Sequence, residues 1–105
     1  MYTYLDPPIL LIQPRNISVT KGEKLELKCG GLGLPIFDIM WYKNNELITT
    51  HFTNFTTKNT NNRNGSLIIP ATNITDQGFY TCVLTSDFGS VTSMAAYIDV
   101  QCKRY

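Results

Sequence analysis

Apolar and polar residues alternate along most of this chain with a period of two, the period of a half-buried strand and not of a helix. Leu25, Leu27 and Cys29 alternate with Lys24, Glu26 and Lys28, so the first set must face a core. Ile39 and Trp41 share an inward face, which turns Met40 and Tyr42 outward. Later in the chain Leu67 and Ile69, then Tyr80, Cys82 and Leu84, then Ala96, Ile98 and Val100 take inward positions. The same parity sends Thr81, Val83 and Tyr97 outward. Near the start, Ile9 to Gln13 is an apolar run halted by Pro14, as expected of a first edge strand that then crosses to another sheet. Ile17 and Val19 follow, alternating with Asn16 and Ser18.

Turn-forming residues separate these runs. Lys21-Gly22-Glu23 reads as a turn, Gly30 to Pro35 as a loop, and Asn44-Asn45 as a turn into a short strand over Glu46 to Thr49. The Thr- and Asn-rich stretch from Thr50 to Thr60 is compatible with an edge strand. Asn61 to Gly65 is expected to be a turn, with Asn64-Gly65 the strongest hairpin dipeptide in the chain. Phe88-Gly89 closes a further hairpin before a final strand from Ser90 to Gln101. With 105 residues, these elements make one all-β domain with its core at about 9 to 101.

Charge adds little. Charged residues are 16% of the chain and the net charge is +1, so nothing steers nucleic acid or an anionic membrane. No apolar run approaches the roughly 20 residues of a membrane-spanning helix. The first residues carry no signal-peptide pattern; we expect Met1 to be an added start and the domain to be cut from a longer protein.

Catalytic patterns are missing from the sequence. His51 stands in a polar Thr-rich stretch, as a solvated imidazole would. There is no Gly-x-Ser-x-Gly elbow. Cys29, Cys82 and Cys102 with His51 have no zinc spacing, and the dispersed carboxylates offer no calcium loop. Gly30-Gly31-Leu32-Gly33 leads into a strand and not into a helix N-terminus that could hold phosphate. The expectation is a non-enzyme with no cofactor, no metal, no nucleic acid and no small-molecule substrate.

The run Asp76-Gln77-Gly78-Phe79-Tyr80-Thr81-Cys82, set against Cys29 and the lone Trp41, resembles the core of the immunoglobulin superfamily. Only 40 residues lie between Trp41 and Cys82, which resembles the intermediate or I-set class more than the variable type. The resemblance covers nearly the whole chain. It implies an all-β, immunoglobulin-like two-sheet Greek-key sandwich with an inter-sheet disulfide between Cys29 and Cys82, and Trp41 packed beside it. Such a bond would close a loop with 52 residues between its ends and stabilise the fold by about 4 kcal/mol. Tyr80 takes the position of the tyrosine corner, its hydroxyl bonding back to the preceding turn, which Asp76 and Gly78 shape. Many relatives pair that Asp with a basic residue. Lys58 and Arg63 are candidates here, but Asp76 is expected to be satisfied by its own turn. Cys102 lies past the motif and is expected to bond to neither core cysteine, leaving it for a neighbouring module, a second chain or no partner.

Four sequons, at Asn16, Asn54, Asn64 and Asn73, fit Asn-x-Ser/Thr without proline. Together with the implied disulfide they favour the secretory pathway and an extracellular or cell-surface location. All four are expected on exposed turns or outward strand positions. The functional expectation is an extracellular protein-protein recognition module of a cell adhesion molecule or receptor ectodomain. Its partner would be another protein, bound homophilically or heterophilically, with the parent chain secreted or membrane-anchored. The alternative is a structural spacer bead in a tandem array, with a sarcomeric intracellular element third. The docking residues would be Met40, Tyr42, Val83 and Tyr97, because Tyr, Met and Val on an outward face exceed what solvation needs. Equally, Tyr42 and Tyr97 could be cross-strand neighbours that steady the sheet.

Overall fold

The computed structural model describes residues 7–33, 37–49, 52–57 and 62–102, with backbone alone considered for 52–57, 62 and 63. Among these residues the chain forms β1 (Ile9–Ile12), β2 (Ile17–Thr20), β3 (Leu25–Leu32), β4 (Asp38–Lys43), β5 (Glu46–Leu47), β6 (Phe52–Thr57) and β7 (Asn62–Ile69). A 3-10 turn (Ile74–Asp76) then leads to β8 (Gly78–Ser86), β9 (Gly89–Thr92) and β10 (Ala96–Gln101). The first sheet has the order β1-β3-β7-β6. The second has the order β2-β10-β8-β4-β5, with β9 also on β8. Within the Thr- and Asn-rich segment, Phe52–Thr57 form β6 at the edge of the first sheet, an outcome with which its composition was compatible.

Inward side chains of both sheets meet in one core. Leu25, Leu27, Leu67 and Ile69 come from the first sheet, and Ile39, Leu84, Ile98 and Val100 from the second. The Cys29–Cys82 disulfide crosses between the sheets with its Cα atoms 6.5 Å apart. Trp41, directly opposite Cys82 in the β4/β8 ladder, is 1% exposed beside it. Burying a large apolar side chain contributes about 1.5–3 kcal/mol. Leaving the buried Nε1 of Trp41 without an acceptor among the described residues costs about 1–3 kcal/mol, an offset of similar size.

Pro14 ends the first run as expected. The chain pairs antiparallel with β3 through β1, then crosses to pair parallel with β10 through β2. Asn44 and Asn45, both at positive φ (49° and 69°), form the two-residue turn between β4 and β5. That short strand is only Glu46–Leu47, not Glu46 to Thr49.

Three local expectations are corrected by long-range pairing. Gly30 and Gly31 are not loop but part of β3, because β1 lies against them. A Cβ at Gly31 would stand 2.0 Å from the Ile9 carbonyl oxygen, so only glycine permits this approach. Asn64-Gly65 is not a turn but the middle of β7, where Gly65 lies between Cys29 of β3 and Phe55 of β6. Two flanking strands override the dipeptide's turn preference. The last strand is broken: Thr81 and Cys82 of β8 face three residues, Ser93, Met94 and Ala95, between β9 and β10. The extra residue is a bulge. Ser93 is buried there; its Oγ accepts from the Cys82 N–H (2.9 Å) and donates to the Met94 carbonyl (2.9 Å).

The corner before β8 is built as the sequence suggested. Asn73 Oδ1 accepts from Ile74 N (2.8 Å), and the Asn73 N–H donates to Asp76 Oδ2 (2.7 Å). The two close a reciprocal cap on the 3-10 turn. Tyr80, fully buried, donates its hydroxyl to the Asp76 carbonyl at 2.5 Å. Burial first, and the nearby Asp76 charge second, push the Tyr80 phenol from 10.0 up to about 12. Lys58 lies outside the described residues, as does the Arg63 side chain.

Two measurements check these contacts. Ser93→Ala leaves the Cys82 amide buried without its acceptor, so urea denaturation should show a loss of about 1–3 kcal/mol. For Tyr80, the folded state holds the proton more tightly than the unfolded state. This contribution is complete below pH 10 and disappears as pH rises toward 12. Tyr80→Phe should lose about 1 kcal/mol at neutral pH by forfeiting the hydrogen bond. Its stability should fall less steeply than wild type across that alkaline window.

Candidate recognition surface

Because Ile39, Trp41, Cys82, Leu84 and Ile98 are fixed inward, the residues between them form the outer face of the second sheet. Ladder register places them in rows. Met40 lies opposite Val83, which lies opposite Thr92. Tyr42 lies opposite both Thr81 and Leu47. Tyr97 lies opposite Phe79. Met40 is 38% exposed, Leu47 47%, Phe79 53% and Tyr97 36%, while Tyr42, Thr81 and Val83 are half-buried.

All four expected docking residues therefore share one face, with Met40 and Val83 directly paired. The suggestion that Tyr42 and Tyr97 are cross-strand neighbours is corrected, because β8 lies between β4 and β10. The bulge at Ser93 to Ala95 shifts β10 so that Tyr97 meets Phe79, with ring centroids 4.9 Å apart and planes tilted by 56°. Phe79 and Leu47 were not among the expected docking residues. The outward parity of Phe79, one residue from inward Tyr80, was the signal that could have found it.

Charges stay at the margins of this face. Asp99 accepts from Ser18 Oγ and Gln101 Nε2, each at 3.0 Å, on the β2/β10 side. Lys43 turns its Nζ to the Thr75 carbonyl, and Asp38 is exposed at the start of β4. An apolar and aromatic centre with a polar rim is the anatomy of a protein interface. A shallow hollow lined by Asn44, Asn45, Phe79, Thr81 and Ala95 opens at the end where β4 turns into β5. The Asn44 side chain shapes it, accepting from the Phe79 N–H through Oδ1 at 3.0 Å.

The sequons occupy different places. Asn16 is exposed just before β2, with Oδ1 accepting from the Tyr97 N–H at 2.8 Å. Asn73 is exposed at the cap of the 3-10 turn. Asn64 is half-buried within β7, opposite Gly30, and so lies on a strand of the first sheet and not in a turn. Asn54 pairs with Ser66 on β6; its side chain is outside the described residues, as is the whole of His51. Cys102 is exposed and unbonded. Among the described residues no three His, Cys, Asp or Glu side chains gather as metal ligands.

The Phe79–Tyr97 contact can be measured directly. A double-mutant cycle with Phe79→Ala and Tyr97→Ala should return a coupling of about 0.5–1.5 kcal/mol in unfolding free energy. A coupling indistinguishable from zero would mean that the rings do not pack in solution.

Comparison with known proteins agrees with this architecture. Residues 8–97 match the Immunoglobulin I-set domain family. Mouse (Mus musculus) Hemicentin-1 is 31% identical over 81 residues, covering 77% of this chain and 1% of that protein. Human (Homo sapiens) Roundabout homolog 2 is 38% identical over 94 residues, covering 90% of this chain and 6% of that protein. The chain thus spans a small fraction of these relatives. Among solved structures, a complex of titin with an obscurin-like 1 immunoglobulin domain aligns with a TM-score of 0.79 at 28% identity, covering 94% of this chain and 98% of that one. The N-terminal eight immunoglobulin domains of Down Syndrome Cell Adhesion Molecule align with a TM-score of 0.83 at 22% identity, covering 91% of this chain and 13% of that one. Sheet order, disulfide, buried tryptophan, tyrosine corner and family match together place this chain in the I-set family of immunoglobulin domains.

Proposed function

We propose that this domain is a non-catalytic protein-protein recognition module of a cell adhesion molecule or receptor ectodomain, docking its partner on the outer face of the second sheet. The observation that carries this is the row structure of that face. Met40 and Val83 pair directly beside Tyr42, Leu47, Phe79 and Tyr97, with charge confined to the rim. Met and aromatic side chains supply much contact area at low entropic cost, as at the centres of interfaces. The partner is another protein, a second copy or a different chain.

The Cys29–Cys82 bond suits an oxidising compartment, and the four sequons support the same placement, extracellular or on the cell surface in a chain that is secreted or membrane-anchored. The second reading is a spacer bead whose outer face is only structural. The contact of Phe79 with Tyr97 favours it, since those rings already partner each other. The likeness to a titin complex gives a sarcomeric element some support as a third.

The test uses the full-length protein displayed on beads. Bead aggregation reads homophilic binding, and a panel of ectodomains reads heterophilic binding. Tyr42→Glu combined with Val83→Lys should abolish whichever binding the wild type shows. Both side chains are half-buried on the outer face and lie outside the core cluster, so the double variant should stay folded, with a melting midpoint within about 4–8 °C of wild type. Undiminished binding by a folded double variant would favour the spacer.

A further inference from the structure

One sequon touches this face. β2 runs parallel to β10, with Ile17 opposite Ile98 and Ser18 opposite Asp99, so Asn16 stands level with Tyr97. The Tyr97 N–H donates to Asn16 Oδ1 at 2.8 Å. A backbone N–H needs an acceptor, which fixes the amide: Oδ1 faces the strand and Nδ2 is left for other chemistry on an exposed residue. Across the sheet from Asn16, a row continues through Tyr97 to Phe79 and then Asn44. Both rings in that row are exposed and in contact.

We propose that Asn16 carries an N-linked glycan that lies over Tyr97 and Phe79, so that occupancy of this sequon sets how much of the recognition face a protein partner can reach. The regulatory part rests on the recognition reading above. In the transfer, Nδ2 forms a bond to the anomeric carbon of an oligosaccharide carried on a lipid-linked pyrophosphate donor of the secretory pathway. The bond from that carbon to the pyrophosphate oxygen breaks, Nδ2 gives up one proton, and the lipid pyrophosphate leaves. The carbonyl oxygen is untouched by this step, so the bond from the Tyr97 N–H survives and keeps the first sugar tethered beside the Tyr97 ring. The C–H face of a pyranose packs well against an aromatic surface, which has negative charge above its plane.

The remaining sequons sit elsewhere. Asn54 and Asn64 belong to strands of the first sheet, and the Asn73 oxygen is committed to the 3-10 turn. None of these three is placed on the Tyr97–Phe79 row.

The test needs no partner. The chain is secreted from a eukaryotic host and the Asn16 glycopeptide is read by mass spectrometry. Hydroxyl-radical footprinting then compares the oxidation of Tyr97, Phe79 and Tyr42 in wild type and in Ser18→Ala, which removes the sequon but keeps Asn16. Asn16 should be occupied in wild type. Tyr97 and Phe79 should oxidise roughly twofold faster in Ser18→Ala, as expected if a sugar covers about half of each exposed ring. Tyr42, on another row, should not change. Should Ser18→Ala fail to fold, removing the whole glycan from the wild type under native conditions with a peptide N-glycosidase, which turns the Asn16 amide into a carboxylate that can still accept from the Tyr97 N–H, gives the same comparison. An unoccupied Asn16, or equal oxidation of Tyr97 with and without the glycan, overturns the proposal. Because the footprint is read without a partner, it fails independently of the Tyr42 and Val83 binding test.

Discussion

The Cys29–Cys82 bond packed against Trp41 fixes which residue of each central strand faces inward. A strand's side chains alternate, so one inward residue decides the placement of all its neighbours. Cys29 sets β3, Cys82 sets β8, and Trp41 sets β4 through its pairing with Cys82. Met40, Tyr42, Thr81 and Val83 face outward because their neighbours cannot leave the core. A slip of one residue in β4 would bury Met40 and expose Trp41, and the bridge opposite would have no indole to pack on. The candidate recognition face is therefore a consequence of core packing and not a separate feature added to the fold.

That dependence explains how much could be read from the chain. Parity at Leu25 to Cys29, Ile39 to Tyr42 and Phe79 to Leu84 is local information, and the strands it implied are present with the same faces. The corner around Asp76 and Tyr80 was legible for the same reason, since the bonds that define it, from the Asn73 N–H to Asp76 and from the Tyr80 hydroxyl to the Asp76 carbonyl, span only three and four residues. What sequence could not supply depended on distant strands. Gly31 is in a strand because the Ile9 carbonyl approaches it from β1. Gly65 is in a strand because β3 and β6 pair with it on both sides. Ser93 interrupts the last strand to serve the Cys82 amide, a partner 11 residues away.

The site shows the same division. Four outward residues were legible from alternation alone, but their grouping into rows was not. The bulge at Ser93 to Ala95 gives Tyr97 the company of Phe79, while β8, lying between β4 and β10, separates it from Tyr42. The parallel pairing of β2 and β10 brings Tyr97 level with Asn16. Tyr97 thus joins an aromatic pair, a sequon and the edge of the candidate docking surface.

If a partner covers the β4/β8 outer surface as proposed, a glycan engineered onto that surface must exclude it. Val83→Asn completes an Asn-Leu-Thr sequon with Leu84 and Thr85 at the centre of the face, without touching an inward residue. The full-length protein carrying this change, secreted from a eukaryotic host and shown to be glycosylated and folded, should lose binding to its partner. Binding equal to wild type with the sugar in place at position 83 would contradict the account.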